Sequence, residues 1–115
     1  MFRFEKLEVW QDGRKFVKEI YLLSDKFPNN EKFCLIDQIR RAAVSIVLNI
    51  AEGSDRKSDI EFKRFLRMAI TSTEEVVSVL YIALDLKYID DKTFEPAYLK
   101  ANQLVAKINA LINAI

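Results

Sequence analysis

The sequence contains no histidine and a single cysteine, and both scarcities limit the chemistry that the chain can perform. Without histidine, the chain lacks the most common general base and the most common metal ligand of proteins. One cysteine, Cys34, excludes an internal disulfide bond and a multi-cysteine metal site. We expect Cys34 to be a buried structural thiol, with a reactive thiol as the alternative. The sequence therefore predicts no catalytic residue, no metal site and no cofactor.

Glycine and proline are also scarce, with two residues of each type in the chain of 115. Turns between strands depend on these residues, so the composition favours long helices with few connections. Half of the residues are apolar and 30% are charged, which is typical of a globular chain with one hydrophobic core. Residues 1–10 lack the apolar stretch of a signal peptide, so we expect a cytoplasmic protein.

Apolar residues recur every three to four positions in four segments of the chain. This pattern predicts an all-α fold, an antiparallel up-down-up-down four-helix bundle in a single domain of residues 1–115. The predicted helices span about residues 9–26, 35–52, 59–87 and 94–115, after an extended segment at residues 1–8. Gly13, inside the first helix, indicates either close approach of a neighbouring helix or a tolerated weak position.

Several residues mark the expected helix ends. Ser58 and Glu61 form a capping-box pattern at the start of the third helix. Gly53 suits a left-handed cap at the end of the second helix. Thr93 is the expected N-cap of the fourth helix, which would place Pro96 in its first turn, where a missing N–H costs little.

The second predicted helix has a wide apolar surface. Its polar positions fall mainly in one narrow stripe, formed by Gln38, Arg41, Ser45, Asn49 and Glu52. A surface helix usually hides an arc of little more than about 100°, so we expect part of this helix to face another chain. We interpret the stripe as a polar network within the bundle or between subunits, with a ligand or nucleic-acid surface as the alternative. A catalytic site is disfavoured because Ser45 has no histidine to activate it.

Charge is unevenly distributed along the chain. Residues 38–67 contain seven basic and four acidic residues, whereas residues 68–95 contain two basic and six acidic residues. The corner between the second and third helices is therefore interpreted either as a phosphate-binding patch for RNA or DNA or as ordinary solvated surface. The basic residues concerned are Arg40, Arg41, Arg56, Lys57, Lys63, Arg64 and Arg67. Glu74, Glu75 and Asp85 are expected to form a solvated acidic face.

Motifs from the first helix to the third connection, read together, carry a family resemblance. They comprise Leu7, Val9, Trp10, Ile20, Tyr21, Phe27, Pro28, Glu31, Leu35, Gln38, Arg40–Ala43, Ser45, Ile46, Asn49–Gly53, Arg56, Ser58, Glu61, Phe62, Arg64–Leu66, Glu74, Glu75, Tyr88 and Ile89. In these residues the chain resembles the four-helix-bundle proteins known as 23S rRNA intervening-sequence proteins. It departs from the family pattern at Cys34, where glycine is usual, at Gly13, where alanine is common, and at Ile70-Thr71, where Gly-Ser is frequent.

The resemblance implies an up-down bundle that assembles with its own copies into a ring, typically a pentamer. It implies no established enzymatic activity. Some family members are encoded inside rRNA insertions, and a similar bundle is the accessory protein of diversity-generating retroelements, where it binds nucleic acid and a reverse transcriptase. Structured RNA or DNA and a partner protein are therefore the candidate partners that the resemblance suggests, beside other copies of the chain.

Two functional hypotheses follow. In the first, the chain is a non-enzymatic homo-oligomeric scaffold, a pentameric ring, that binds RNA or DNA through the basic corner. In the second, it is a protein-interaction adaptor that docks a partner enzyme through the polar stripe and the acidic segment, without nucleic-acid binding. Salt separates the two, because phosphate contacts weaken steeply with salt, whereas a packed protein interface is much less sensitive.

Overall fold

The computed structural model describes residues 1–115 and contains four long helices and no strand. The helices are α1 (Glu8–Ser24), α2 (Leu35–Ser54), α3 (Asp59–Asp85) and α4 (Asp91–Ala114). Short 3-10 turns at Arg3–Lys6 and Asn29–Glu31 precede α1 and α2. Each helix packs against the next one in the chain, and α4 packs against α1. This arrangement confirms the predicted all-α, up-down-up-down bundle.

The hydrophobic core lies along the bundle axis and receives side chains from all four helices. Ile20, Ile46, Leu66, Val76 and Ile108 have no solvent exposure. Burying one aliphatic side chain of this size stabilises the fold by about 1.5–3 kcal/mol, so the shared apolar face provides most of the driving force. None of the helices combines the length and the apolar character that crossing a membrane requires.

The contact between α2 and α3 depends on Gly53, in a way that the sequence did not predict. Gly53 lies inside α2, which ends at Ser54, and no glycine has a positive φ. A Cβ atom on Gly53 would lie 2.5 Å from Cβ of Phe65 and 3.1 Å from Cδ1 of Phe62. The expected left-handed cap was therefore wrong. Glycine is required here because α3 approaches the α2 backbone closely.

Gly13 has a similar but looser environment where α1 crosses α2. A Cβ atom at this position would lie 3.0 Å from Cγ1 of Val47. Of the two interpretations of Gly13, close approach of a neighbouring helix therefore agrees with the structure. Glycine has a helix propensity about 1 kcal/mol less favourable than that of alanine, and this loss is the cost of the close approach.

The starts of α3 and α4 differ in how well the sequence predicted them. The Ser58 hydroxyl accepts a hydrogen bond from the Glu61 N–H at 3.1 Å, but the Glu61 carboxylate binds Arg64, so only one half of the capping box forms. α4 begins earlier than expected, because Asp90 rather than Thr93 is its N-cap and accepts from the Thr93 N–H at 2.9 Å. The proline of α4 consequently lies in its second turn, not its first.

α3 ends in a Schellman motif. The N–H of Tyr88 donates to the carbonyl of Ala83 at 2.9 Å, and the N–H of Lys87 donates to the carbonyl of Leu84 at 3.0 Å. Lys87 adopts a φ of 62°, the left-handed conformation that glycine usually occupies in this motif. This conformation costs a residue with a side chain about 1–2 kcal/mol, so the motif carries a local strain.

The N-terminal residues form a 3-10 turn rather than the expected extended segment. The ring of Phe4 lies 4.8 Å from that of Trp10, which fastens the turn to α1. Arg3 donates to the carbonyl of Ser54 at 3.2 Å, and its guanidinium lies 4.9 Å from the ring centroid of Phe62. The turn therefore packs beside the end of α2 and the start of α3.

Cys34 is exposed, so the expectation of a buried thiol was wrong. It directly precedes α2 and follows Phe33, whose side chain is 88% exposed. Residues 32–34 form a turn, and all three are exposed.

Candidate functional site

The polar stripe of α2 has a hydrogen-bonded centre. The hydroxyl oxygens of Ser45 and Ser72 lie 2.9 Å apart, and Ser72 belongs to α3. Asn49 Nδ2 donates to the carbonyl and the hydroxyl of Ser45 at 2.9 and 3.0 Å. These three half-buried side chains connect α2 to α3. Ser72 was not among the predicted stripe residues, because it belongs to another helix and lies 27 positions from Ser45 in the chain.

The ends of the stripe are exposed and make only local contacts. Arg41 Nε donates to Asp37 Oδ2 at 2.9 Å, one turn earlier on α2. Glu52 accepts from Arg56 Nη2 at 3.1 Å, and Gln38 is exposed. Exposed pairs of this kind contribute about 0–1 kcal/mol, so these side chains are free to exchange partners.

An open groove of about 780 Å³ runs along the outer side of α2. We call it the α2 groove, and its apolar wall consists of Tyr21, Phe33, Ile36, Val44 and Leu48. Phe33 and Leu48 are 88% and 61% exposed. The bundle therefore covers only part of the wide apolar arc of α2. An exposed apolar patch with a polar rim is typical of an interaction surface.

Arg40, which also lines this groove, contacts residues of α1 and its C-cap. Its guanidinium donates to Ser24 Oγ at 2.8 Å and to Asp25 Oδ1 at 2.8 Å, and it lies 4.6 Å from the ring centroid of Tyr21. Arg40 lies fourteen residues before Ser54, the last residue of α2, which corresponds to about 21 Å along the helix axis, and Arg56 lies beyond that end. The structure therefore does not bring Arg40 and Arg41 together with the basic residues at the other end of α2.

The remaining five predicted basic residues do gather where α2 meets α3. We call them the basic corner, which consists of Arg56, Lys57, Lys63, Arg64 and Arg67. The guanidinium groups of Arg56 and Arg64 lie 4.9 and 5.0 Å from the ring centroid of Phe65. Both arginines also contact a carboxylate.

Three side chains of the basic corner make no ion pair. They are Lys57, Lys63 and Arg67. Arg3 adds a further guanidinium beside the corner, through its contact with Phe62. Arg3 was not among the predicted basic residues, because a contact across 51 positions leaves no local signal in the sequence. The corner can therefore offer several cations to a polyanion without breaking an existing ion pair.

The acidic segment lies farther along α3 than the basic corner. Glu74, Glu75 and Asp85 are exposed on α3 and make no ion pair. The ring of Tyr81 lies 4.8 Å from that of Phe94 and 6.2 Å from that of Tyr98. Desolvation raises the pKa of Tyr81, and the neighbouring Tyr98 raises it further. This part of the molecule therefore combines negative charge with aromatic surface.

Comparisons with other proteins agree with this fold. The family model described as 23S rRNA-intervening sequence protein matches residues 5–110. A crystal structure of a protein with unknown function from the S23 ribosomal protein family of Bacteroides thetaiotaomicron superposes with a TM-score of 0.83. The two sequences are 24% identical, and the match covers 90% of this chain and 97% of that chain. At this identity the likeness shows the fold alone. No curated protein matches the chain.

Proposed function

The chain belongs to the 23S rRNA-intervening sequence protein family, and on that premise we propose that it is a non-enzymatic, homo-oligomeric helical scaffold that binds RNA or DNA. The proposed nucleic-acid surface is the basic corner together with Arg3. The proposed assembly is a ring of five copies, a number that comes from the family resemblance.

The observation that carries the nucleic-acid proposal is the set of unpaired cations at the basic corner. Lys57, Lys63 and Arg67 make no ion pair, so binding a phosphate would not first cost the breaking of one. Arg56 and Arg64 lie over Phe65, which restricts their side chains before a ligand arrives. Restricted guanidinium groups lose less conformational entropy on binding phosphate.

Arg40 and Arg41 are left out of this surface because they lie toward the opposite end of α2 from the basic corner. We assign these two arginines to the rim of the α2 groove instead.

The proposal of a non-enzymatic role rests on the chemistry of the stripe. Ser45 is the only hydroxyl among the five stripe residues, and its oxygen is engaged with Ser72 and Asn49. Neither partner is a base that accepts a proton, so the arrangement resembles a structural link and not a nucleophile with its activating group.

Nucleic-acid binding can be tested by fluorescence anisotropy with a labelled RNA hairpin and a labelled DNA duplex over a series of salt concentrations. We expect the wild-type protein to bind, with log affinity falling linearly with log salt. Replacing Lys57, Lys63 and Arg67 by alanine should reduce the slope by about 0.9 for each phosphate that the variant no longer neutralises.

The matched control is a triple alanine variant at Lys15, Lys18 and Lys92, which are exposed, make no ion pair and lie on α1 and α4. It removes the same charge from other surfaces and should change the slope much less. Equal reductions of the slope in both variants would mean that binding follows net charge alone and has no site at the corner. Absence of binding by the wild-type protein would contradict the nucleic-acid part of the proposal.

A protein-interaction adaptor is the second candidate, and the α2 groove is the observation that favours it. Phe33 and Leu48 expose large apolar side chains there. Binding to the phosphates of a nucleic acid does not need such side chains, whereas a protein interface commonly buries them. An adaptor would show no affinity for RNA or DNA at physiological salt, yet would retain a partner enzyme in high salt.

A further inference from the structure

Phe2 presents an exposed aromatic ring just before the N-terminal 3-10 turn. It is 71% exposed, and its ring stacks on that of Phe4 with a centroid distance of 5.7 Å and an angle of 12° between the planes. Phe4 in turn packs against Trp10 of α1 at 4.8 Å. The N–H of Phe2 donates to the Glu5 carboxylate at 2.6 Å, which holds the start of the turn. The bundle therefore supports the Phe2 ring through Phe4 and leaves most of it open to a ligand.

The Phe2 ring belongs to an open pocket of about 470 Å³ between the N-terminal turn and the last turns of α2. We call it the N-terminal pocket, and its lining includes Phe2, Arg3, Phe4, Leu48, Glu52 and Asp55. Two aromatic rings and the exposed side chain of Leu48 supply apolar surface, while one guanidinium and two carboxylates supply hydrogen-bonding groups. This combination fits a flat aromatic ligand that carries donors and acceptors at its edge.

The N-terminal pocket adjoins the basic corner. Glu52, in the pocket lining, accepts from Arg56 Nη2 of the corner at 3.1 Å. Arg3, also in the lining, has its guanidinium 4.9 Å from the ring centroid of Phe62, the residue before Lys63 of the corner. A nucleic-acid strand whose phosphates contact the corner therefore has neighbouring nucleotides within reach of the pocket.

We propose that the N-terminal pocket binds an unpaired nucleobase, stacked on Phe2, from a strand whose phosphates lie on the basic corner. Aromatic rings are common stacking partners of bases that leave their own stack. The inference rests on the proposed nucleic-acid function and names its substrate class, which is RNA or DNA with unpaired bases in loops or single strands. A continuous duplex keeps its bases stacked on one another, so it offers the pocket no free ring face.

The charges in the pocket favour a base over a phosphate. Glu52 and Asp55 bring two carboxylates to the lining, against the single guanidinium of Arg3. Asp55 makes no ion pair, so its oxygens are available to the amino groups of bases, which donate to carboxylates. A phosphate in the same place would meet the uncompensated negative charge of Asp55.

The test compares one labelled strand, alone and annealed to its complement, by fluorescence anisotropy. Phe2→Ala removes the stacking surface but no charge. We expect it to weaken binding of the single strand by about 5- to 150-fold, the effect of one lost base–aromatic stack, and to change duplex binding by less than about twofold. The salt slope for the single strand should remain that of the wild-type protein, since no phosphate contact is lost.

Two further variants control for the loss of an aromatic ring in general. Phe33→Ala removes an 88% exposed phenylalanine that lines the α2 groove, and it should leave binding of the single strand unchanged. Phe2→Trp keeps a stacking surface and should bind the single strand at least as tightly as the wild-type protein does. Both phenylalanines are largely exposed, so we expect all three variants to fold, which circular dichroism checks.

Binding of the single strand that Phe2→Ala weakens no more than Phe33→Ala does would overturn the inference. Equal losses for the single strand and the duplex would overturn it as well, because a duplex has no free base to stack. A wild-type protein that binds neither would remove the proposed function, and this inference with it. Binding that depends on Lys57, Lys63 and Arg67 but not on Phe2 would leave the proposed function intact and defeat this inference alone.

Discussion

Gly53 and Phe65 are in contact across the α2–α3 junction at a distance that admits no side chain on the glycine. A Cβ atom on Gly53 would lie 2.5 Å from the Cβ of Phe65. The Phe65 Cβ is attached directly to the α3 backbone, so it cannot move away by rotation of a side chain. The same phenylalanine carries Arg56 and Arg64 over its ring. Packing at Gly53 and the position of the basic corner are therefore coupled.

We expect Gly53→Ala to lower the free energy of unfolding by about 1–3 kcal/mol, the usual cost of overpacking a core. Urea unfolding followed by circular dichroism measures this change. Gly13→Ala is the comparison, since its nearest neighbour is the side-chain atom Cγ1 of Val47 at 3.0 Å and the gain in helix propensity offsets the crowding. Equal effects of both substitutions would contradict the steric explanation.

Lys87 is the position where glycine should stabilise the protein. Its φ of 62° is unstrained for glycine, and its N–H hydrogen bond in the Schellman motif would remain. We expect Lys87→Gly to raise the free energy of unfolding by about 0.5–1 kcal/mol, after the entropy that glycine adds to the unfolded chain is subtracted. Lys92→Gly, in the first turn of α4, should instead destabilise the protein. Lower stability in both variants would contradict the strain at Lys87.

Asp90 should make the stability of α4 depend on pH in the acid range. Hydrogen bonds from Thr93 hold the pKa of Asp90 below its usual value, with a smaller contribution from Lys26. Because the folded pKa is lowered, this stabilisation is present above the unfolded pKa and is lost as pH falls through the folded pKa. We expect the stability difference between the wild-type protein and Asp90→Asn to be largest near neutral pH and to shrink below about pH 4.

Asp90→Ala completes this comparison. Asparagine keeps a side-chain oxygen for the Thr93 N–H but does not titrate, whereas alanine removes the cap altogether. Alanine should therefore destabilise the protein more than asparagine does at neutral pH. A difference between the wild-type protein and Asp90→Asn that does not change between pH 7 and pH 2 would contradict the assignment.

The hydrogen bond between Ser45 and Ser72 should contribute measurably to the α2–α3 contact. A double-mutant cycle with Ser45→Ala and Ser72→Ala isolates the pair, and we expect a coupling of about 0.5–1.5 kcal/mol in the free energy of unfolding. Asn49→Leu removes the third member and should lower stability or assembly. If Asn49→Leu left both unchanged, the polar network would not be the role of this residue.

Much of the fold could be predicted because helix periodicity is a local property. Val9, Ile46, Leu66 and Ile108 come from the four helices, one from each. Each lies on the apolar face that the periodicity predicts for its helix, and in the structure each lies in the core. Ser58 could be predicted as a cap because its acceptor and the Glu61 N–H are three residues apart. Thr93 was predicted as the N-cap of α4, whereas Asp90, a residue type that caps helices equally well, takes that position.

Less of the candidate site than of the fold could be predicted from the sequence. Arg40 and Arg56 belong to the same basic stretch of the sequence, yet Arg40 lies in the N-terminal third of α2 and Arg56 lies beyond its C-terminal end. Arg3 joins the basic corner through a contact with Ser54 across 51 positions, for which no local pattern exists. Cys34 looked like a core residue by its type, but it lies in an exposed turn.

By itself, the sequence determined the four helices, their buried faces and the uneven charge, because hydrophobic burial and helix geometry act over a few neighbouring residues. Only the tertiary structure decided that Gly53 serves packing instead of capping, that Ser72 is the partner of Ser45, and which cations stand free at the corner. These properties depend on which surfaces of different helices meet. Contacts between residues far apart in the chain set that choice, and each forms only when the whole bundle closes.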